Sequence, residues 1–129
     1  MQVVYFHFAF LGDESQWAAE ASECAGEQDA FWDYYNYLFS HQNGENQGAF
    51  SIENLKSFAA EMDLDTDQFN ECLDSGRYTA LVQNMSNIAR QLGVQSTPTF
   101  AINGQGVVGA KDFTELASII DSFLTPTEP

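Results

Sequence analysis

Apolar residues repeat along this chain with two different periods, and the change of period divides it into elements. Val3 to Phe10 is a run of β-branched and aromatic residues with little true alternation, the pattern of a short strand buried on both faces. After Gly12 the chain turns polar. Ser15 opens a helix that places Trp17, Ala18, Ala21, Cys24 and Ala25 on one face. Asp29 has the chemistry of an N-cap for a second helix running to about Ser40, apolar nearly all round, with Phe31, Trp32, Tyr34, Tyr35, Tyr37, Leu38 and Phe39. His41 to Ala49 has turn residues and no period, and reads as a surface loop.

Ser51 caps a third helix through Met62, with Ile52, Leu55, Phe58, Ala59 and Met62 at helical spacing. Asp65 caps a fourth, with Gln68 at the capping-box position and Phe69, Cys72 and Leu73 on one side; Gly76 ends it. A fifth helix covers Tyr78 to Leu92, with Leu81, Met85, Ile88, Ala89 and Leu92 expected inward and Gly93 as its stop. The period then changes again. Thr99 to Ile102 and Val107 to Ala110 flank Asn103-Gly104, a strong hairpin signal. Asp112 starts a last helix through Leu124, with Phe113, Leu116, Ile119, Ile120 and Phe123 as its stripe, and Thr125 to Pro129 reads as a frayed tail. Strand, helices, two strands and a helix, with no internal repeat, make an α/β domain carrying a helical insertion.

Composition narrows the partners. The 129 residues are 44% hydrophobic and 18% charged, which suits one ordinary domain. Nineteen acidic residues against four basic ones give a formal charge of −15. Such a chain repels nucleic acid and anionic membrane surfaces, so neither is expected as a partner. The apolar run at the N-terminus is far shorter than the roughly 18 residues of a membrane span, so no membrane insertion is expected. It has neither the basic flank nor the cleavage site of a signal peptide.

Few residues offer chemistry. There is no phosphate-binding glycine loop, no His-Glu-x-x-His, no Gly-x-Ser-x-Gly and no Cys/His cluster at metal spacing, so no metal and no cofactor is expected. His7, in the first strand, and His41, in a loop, are read as structural. Pro98 opens a strand directly after a helix stop, a place where a cis bond lets the chain reverse tightly, although local chemistry alone favours trans. Cys24 and Cys72 each lie on the apolar face of a helix. They are either buried reduced hydrophobes or, in an oxidising compartment, a structural disulfide closing a loop of about 49 residues, worth roughly 4 kcal/mol. Neither has the exposed, thiolate-stabilising setting of a reactive dithiol.

In order and spacing, Ala18-Ala19-Glu20-Ala21 with Glu23-Cys24-Ala25, Phe31-Trp32, Leu38-Phe39, Glu71-Cys72-Leu73-Asp74-Ser75-Gly76, and Gly93 to Phe100 with Asn103-Gly104 resemble the DsbA-like branch of the thioredoxin superfamily. These are thiol-disulfide oxidoreductases of exported compartments. The resemblance covers nearly the whole chain. It implies a thioredoxin-like sheet with an inserted helical subdomain, the thioredoxin-like part being residues 1–12 and 94–124 and the mainly helical insertion 13–93. It also implies a cis bond before Pro98, a substrate-facing loop at Thr97 and Pro98, and a structural Cys24–Cys72 disulfide.

The departure is as informative. Family members carry a Cys-x-x-Cys at the start of the helix after their first strand, and these 129 residues contain none. Residues 1–10 match the second strand, so the chain reads as N-terminally truncated, with no catalytic residue of its own. The expected function is the non-nucleophilic portion of a disulfide oxidoreductase acting on protein or peptide thiols, inactive alone. The alternative is a non-catalytic peptide-binding or assembly module on the same fold. A third reading, a kappa-class glutathione transferase, lacks a basic residue placed for the glutathione carboxylate. Without the first strand, the strands at 3–10 and 99–102 are left with open edges, which implies either closure on each other or a homodimer by strand exchange. The expected location is extracytoplasmic if the missing N-terminus carries a leader or anchor.

Overall fold

A computed structural model of the chain describes residues 1–124; the expected frayed tail at 125–129 lies outside the described residues. The chain divides into two compact units, residues 1–89 and residues 90 onward. The first holds α1 (Asp13–Gly26), α2 (Phe31–Ser40), α3 (Ile52–Glu61), α4 (Thr66–Asp74) and most of α5 (Thr79–Gln91). The second holds β1 (Thr99–Ile102), β2 (Gln105–Val108) and α6 (Phe113–Leu124).

In the helical unit α1 packs against α2, α3 and α4 around one core. Ala21 and Ala25 of α1 are wholly buried, and small side chains there let Tyr34, Leu55 and Phe69 come close, all with no exposed surface. The turns are set by particular residues. Gly12, before α1, has φ +103°, and a Cβ there would lie 2.9 Å from the Asn46 side chain. Asn46, from the expected loop, accepts from the Glu14 N–H at 3.4 Å and so caps α1 from a distance in sequence. Ser51 accepts from the Asn54 N–H and Asp65 from the Gln68 N–H, as expected of both caps. The reciprocal half of the α4 box falls to Gln28, whose Oε1 accepts from the Asp65 N–H at 2.8 Å while its Nε2 donates to the Asp65 carbonyl.

Four expectations are corrected. Val3 to Phe10 is not a strand: the sheet has two strands, β1 and β2, and the segment pairs with no other strand among the described residues. A β-prone run becomes a strand only when a neighbour completes its ladder. Asp29 is not an N-cap. It takes φ +59°, a left-handed position that aspartate tolerates, in the turn between α1 and α2, and Ala30 precedes α2 without a side-chain cap. On α5 Ala89 is buried and Met85 half-buried as expected, but Leu81, Ile88 and Leu92 are exposed, and Val82 and Ser86 turn inward instead, where Ser86 Oγ accepts from the Ala9 N–H at 3.0 Å. On α6 nothing is fully buried and Phe113 is 86% exposed, although Leu116, Ile119 and Ile120 are half-buried. A two-stranded hairpin offers too little surface to cover such a stripe.

The second unit follows its turn chemistry. Asn103 and Gly104 both have positive φ and join β1 to β2, with Ile102 paired to Gln105 and Thr99 to Val108. The second strand thus begins two residues earlier than its apolar run. Asp112 Oδ1 accepts from the Glu115 N–H at 2.8 Å and caps α6.

Candidate functional site

Pro98 sits immediately before β1, and the Thr97–Pro98 bond is cis. Both residues are exposed. The loop is fixed on its downstream side, where the Pro98 carbonyl accepts from the Gly109 N–H at 2.8 Å and Thr99 Oγ1 donates to the Ser96 carbonyl at 2.7 Å. Proline has no N–H to lose here, and the fixed loop presents the backbone of Thr97 at the surface. An exposed backbone of this kind can pair with an extended peptide.

Cys24 and Cys72 are joined by a disulfide that ties α1 to α4 with a Cα–Cα distance of 5.8 Å. Each residue is 1% exposed, inside the core built by Ala21, Tyr34, Leu55 and Phe69. A bridge sealed in apolar surroundings is shielded from attack by an external thiolate. Next to it, the Tyr34 hydroxyl donates to the Leu55 carbonyl at 2.8 Å, and burial holds the phenol far above its ordinary range.

The polar side of α1 shows what sequence reading missed. Gln16, Glu20, Glu23 and Glu27 follow one another at helical spacing, and each finds a partner. Glu20 is buried and accepts from Thr79 Oγ1 and Gln16 Nε2. Glu23 Oε1 lies 2.7 Å from Nε2 of His7, which is 3% exposed. Arg77 Nη1 donates to both oxygens of Glu27 at 2.7 and 2.8 Å, and the Tyr78 hydroxyl donates at 2.9 Å. The Arg77 hydrogen bond holds the Glu27 carboxyl below its usual range, and Glu27 in turn raises the guanidinium. In a chain with nineteen acidic residues, no sequence signal separates these from their solvated neighbours. His41 is exposed and stacks on Tyr37 at 3.9 Å. Tyr5 joins Phe31, Trp32 and Tyr35 in an aromatic cluster, where burial raises its phenol. A shallow depression beside it is lined by Gly26, Asp29, Phe31, Trp32 and Asp33. Among the described residues no three His, Cys, Asp or Glu side chains gather as a metal site would require, and no helix is long and apolar enough to cross a membrane.

Comparison with known proteins places these features in a family. The family model Thioredoxin_4, described as Thioredoxin, matches residues 1–122. The Na(+)/H(+) antiporter NhaA 1 of Salinispora arenicola is 35% identical over 113 residues, covering 88% of this chain and 17% of the antiporter. The probable disulfide bond formation protein D of Bacillus anthracis is 29% identical over 128 residues, covering 96% of this chain and 58% of that protein. Among solved structures, oxidised BdbD from Bacillus subtilis superposes with a TM-score of 0.80 at 26% identity, over 92% of this chain and 66% of BdbD. The chain thus spans about a sixth of the antiporter and somewhat over half of the disulfide bond formation protein. With the family model matched across nearly its whole length and BdbD sharing its fold, the chain belongs to the DsbA-like, thioredoxin-fold family.

Proposed function

We propose that this chain is the substrate-facing, non-nucleophilic portion of a DsbA-like thiol-disulfide oxidoreductase whose clients are protein or peptide thiols. The observation that carries the reading is the match in fold to oxidised BdbD by a chain that has two cysteines, both locked in one buried bridge. The thioredoxin-like part is read as residues 1–12 and 94–124, interrupted by the helical insertion 13–93. Thr97 offers its backbone to an extended client and Pro98 limits the approach. The Cys24–Cys72 bridge serves as a structural staple and points to an oxidising, extracytoplasmic setting, since such bridges rarely persist in a reducing cytosol. The outer edges of the two-stranded sheet and the segment at 3–10 support a homodimer.

The test compares two polypeptides, the 129-residue chain and the same chain extended upstream by a strand and a Cys-x-x-Cys helix. Only the extended form is expected to reduce insulin or oxidise a reduced model protein. Turnover by the 129 residues alone overturns the reading. The antiporter relatives favour a second reading, a non-catalytic peptide-binding or assembly module, because in them the similar stretch is a small share of a larger protein. Failure of the extended form to turn over, with retained binding of unfolded peptide, supports that reading.

A further inference from the structure

Two Asn-Gly pairs are exposed on this chain, Asn43-Gly44 in the loop between α2 and α3 and Asn103-Gly104 between β1 and β2. Asparagine is a labile side chain, and a following glycine has no Cβ to crowd its nitrogen, so that nitrogen can reach the side-chain amide carbon. Ring closure requires the asparagine ψ to turn until the glycine nitrogen faces Cγ. The two pairs differ in what resists that turn. Asn103 and Gly104 take φ +48° and +84°, the left-handed residues of a two-residue hairpin turn, and Ile102 pairs with Gln105 directly beside them. Rotating Asn103 would open that end of the ladder. Asn43 has no such restraint. Among the described residues, 42–44 make no hydrogen bond through backbone or side chain, and the chain is next held at His41, whose N–H donates to the Leu38 carbonyl, and at Asn46.

We infer that Asn43 is a site of spontaneous modification, converting to aspartate and isoaspartate in the folded protein while Asn103 stays intact. The step needs only water. A bond forms from the Gly44 nitrogen to Asn43 Cγ, the Cγ–Nδ2 bond breaks, and the amide nitrogen leaves as ammonia with the proton of the Gly44 N–H. Water then opens the resulting succinimide. Opening at Cγ restores the main chain with an aspartate side chain, and opening at the Asn43 main-chain carbonyl routes the chain through Cβ and Cγ as isoaspartate, longer by one methylene. Nothing is oxidised or reduced. The consequence falls on α1. Asn46, three residues on, accepts from the Glu14 N–H at 3.4 Å, and Gly12 at the start of that helix supplies no side-chain cap of its own. The extra methylene displaces that borrowed cap, and the new carboxylate arrives beside Glu45 in a chain already at −15. The inference rests on neither the redox reading nor the oligomeric state.

Incubation of the folded chain at mildly alkaline pH, followed by peptide mass spectrometry, tests it. The peptide holding Asn43 is expected to gain one mass unit and to become a substrate for an isoaspartyl methyltransferase, while the peptide holding Asn103 stays unchanged. In denaturant with the bridge reduced, both pairs are expected to convert at similar rates, which assigns the protection of Asn103 to the hairpin. Asn43→Gln is expected to remove the acidic species that appear on isoelectric focusing of the aged protein. In the isoaspartate form, exchange of the Glu14 amide hydrogen is expected to rise about fivefold, the loss of one cap. Asn43→Asp, which adds the charge without the methylene, should leave that exchange near its natural rate. An intact Asn43 in the folded chain under conditions that convert the denatured one overturns the inference, as does equal conversion of Asn103 in the folded chain. Unchanged Glu14 exchange in the isoaspartate form overturns its coupling to α1.

Discussion

At the scale of single residues, the buried polar groups of α1 and the core carry the most definite consequences. Tyr34 is wholly buried and its hydroxyl donates to the Leu55 carbonyl, which also takes the ordinary helical bond from four residues on. Tyr34→Phe therefore leaves no orphaned acceptor and is expected to cost about 1 kcal/mol by chemical denaturation. Glu27 behaves differently because its effect depends on pH. Arg77 depresses its folded-state pKa below the ordinary 4.5, so the folded protein favours the carboxylate more than the unfolded chain does. That contribution is fully present above pH 4.5 and fades as pH falls through the lower folded value. The stability gap between the natural protein and Glu27→Gln is expected to stay constant at neutral pH and to close on acidification below 4.5. A gap that widens in acid contradicts the assignment.

Among the elements, α1 and α4 are bound twice, by shared core and by the Cys24–Cys72 bridge. The bridged cysteines are 48 residues apart, so removing the bridge frees the unfolded chain by about 4 kcal/mol in the chain-entropy account. The Cys24→Ala/Cys72→Ala variant is expected to lose stability on that order. Thiol titration of the denatured, unreduced natural protein should find no free thiol. The start of α4 supplies a smaller quantity. Asp65→Ala removes the cap to the Gln68 N–H and is expected to cost about 1 kcal/mol. Gln28, which holds the Asp65 backbone from the α1–α2 turn, remains in place in that variant. These elements were legible because caps, helix stops and the Asn103-Gly104 turn act over a few residues. Their faces were less so. α5 carries two adjacent stripes of helical spacing, and a single hydrogen bond to Ser86 marks the one turned inward.

Across the whole molecule, the family and the disulfide bear on different properties. Membership of the DsbA-like family fixes the fold, while the buried bridge leaves the chain without an accessible cysteine. Incubation with a reduced client protein is therefore expected to leave the Cys24–Cys72 bridge intact until the helical unit is unfolded. Rapid exchange under native conditions would show that the bridge is a working redox centre.

The amino-acid order by itself determined where α3 and α4 begin and end, where the hairpin turns, which helices are amphipathic, and which family the chain resembles. All of these depend on contacts between near neighbours or on spacing along the chain. Tertiary structure decided the rest. It brought Cys24 to Cys72, set His7 on Glu23 and chose the inward face of α5. It also denied a strand to Val3–Phe10, because a ladder requires a partner that local sequence cannot supply.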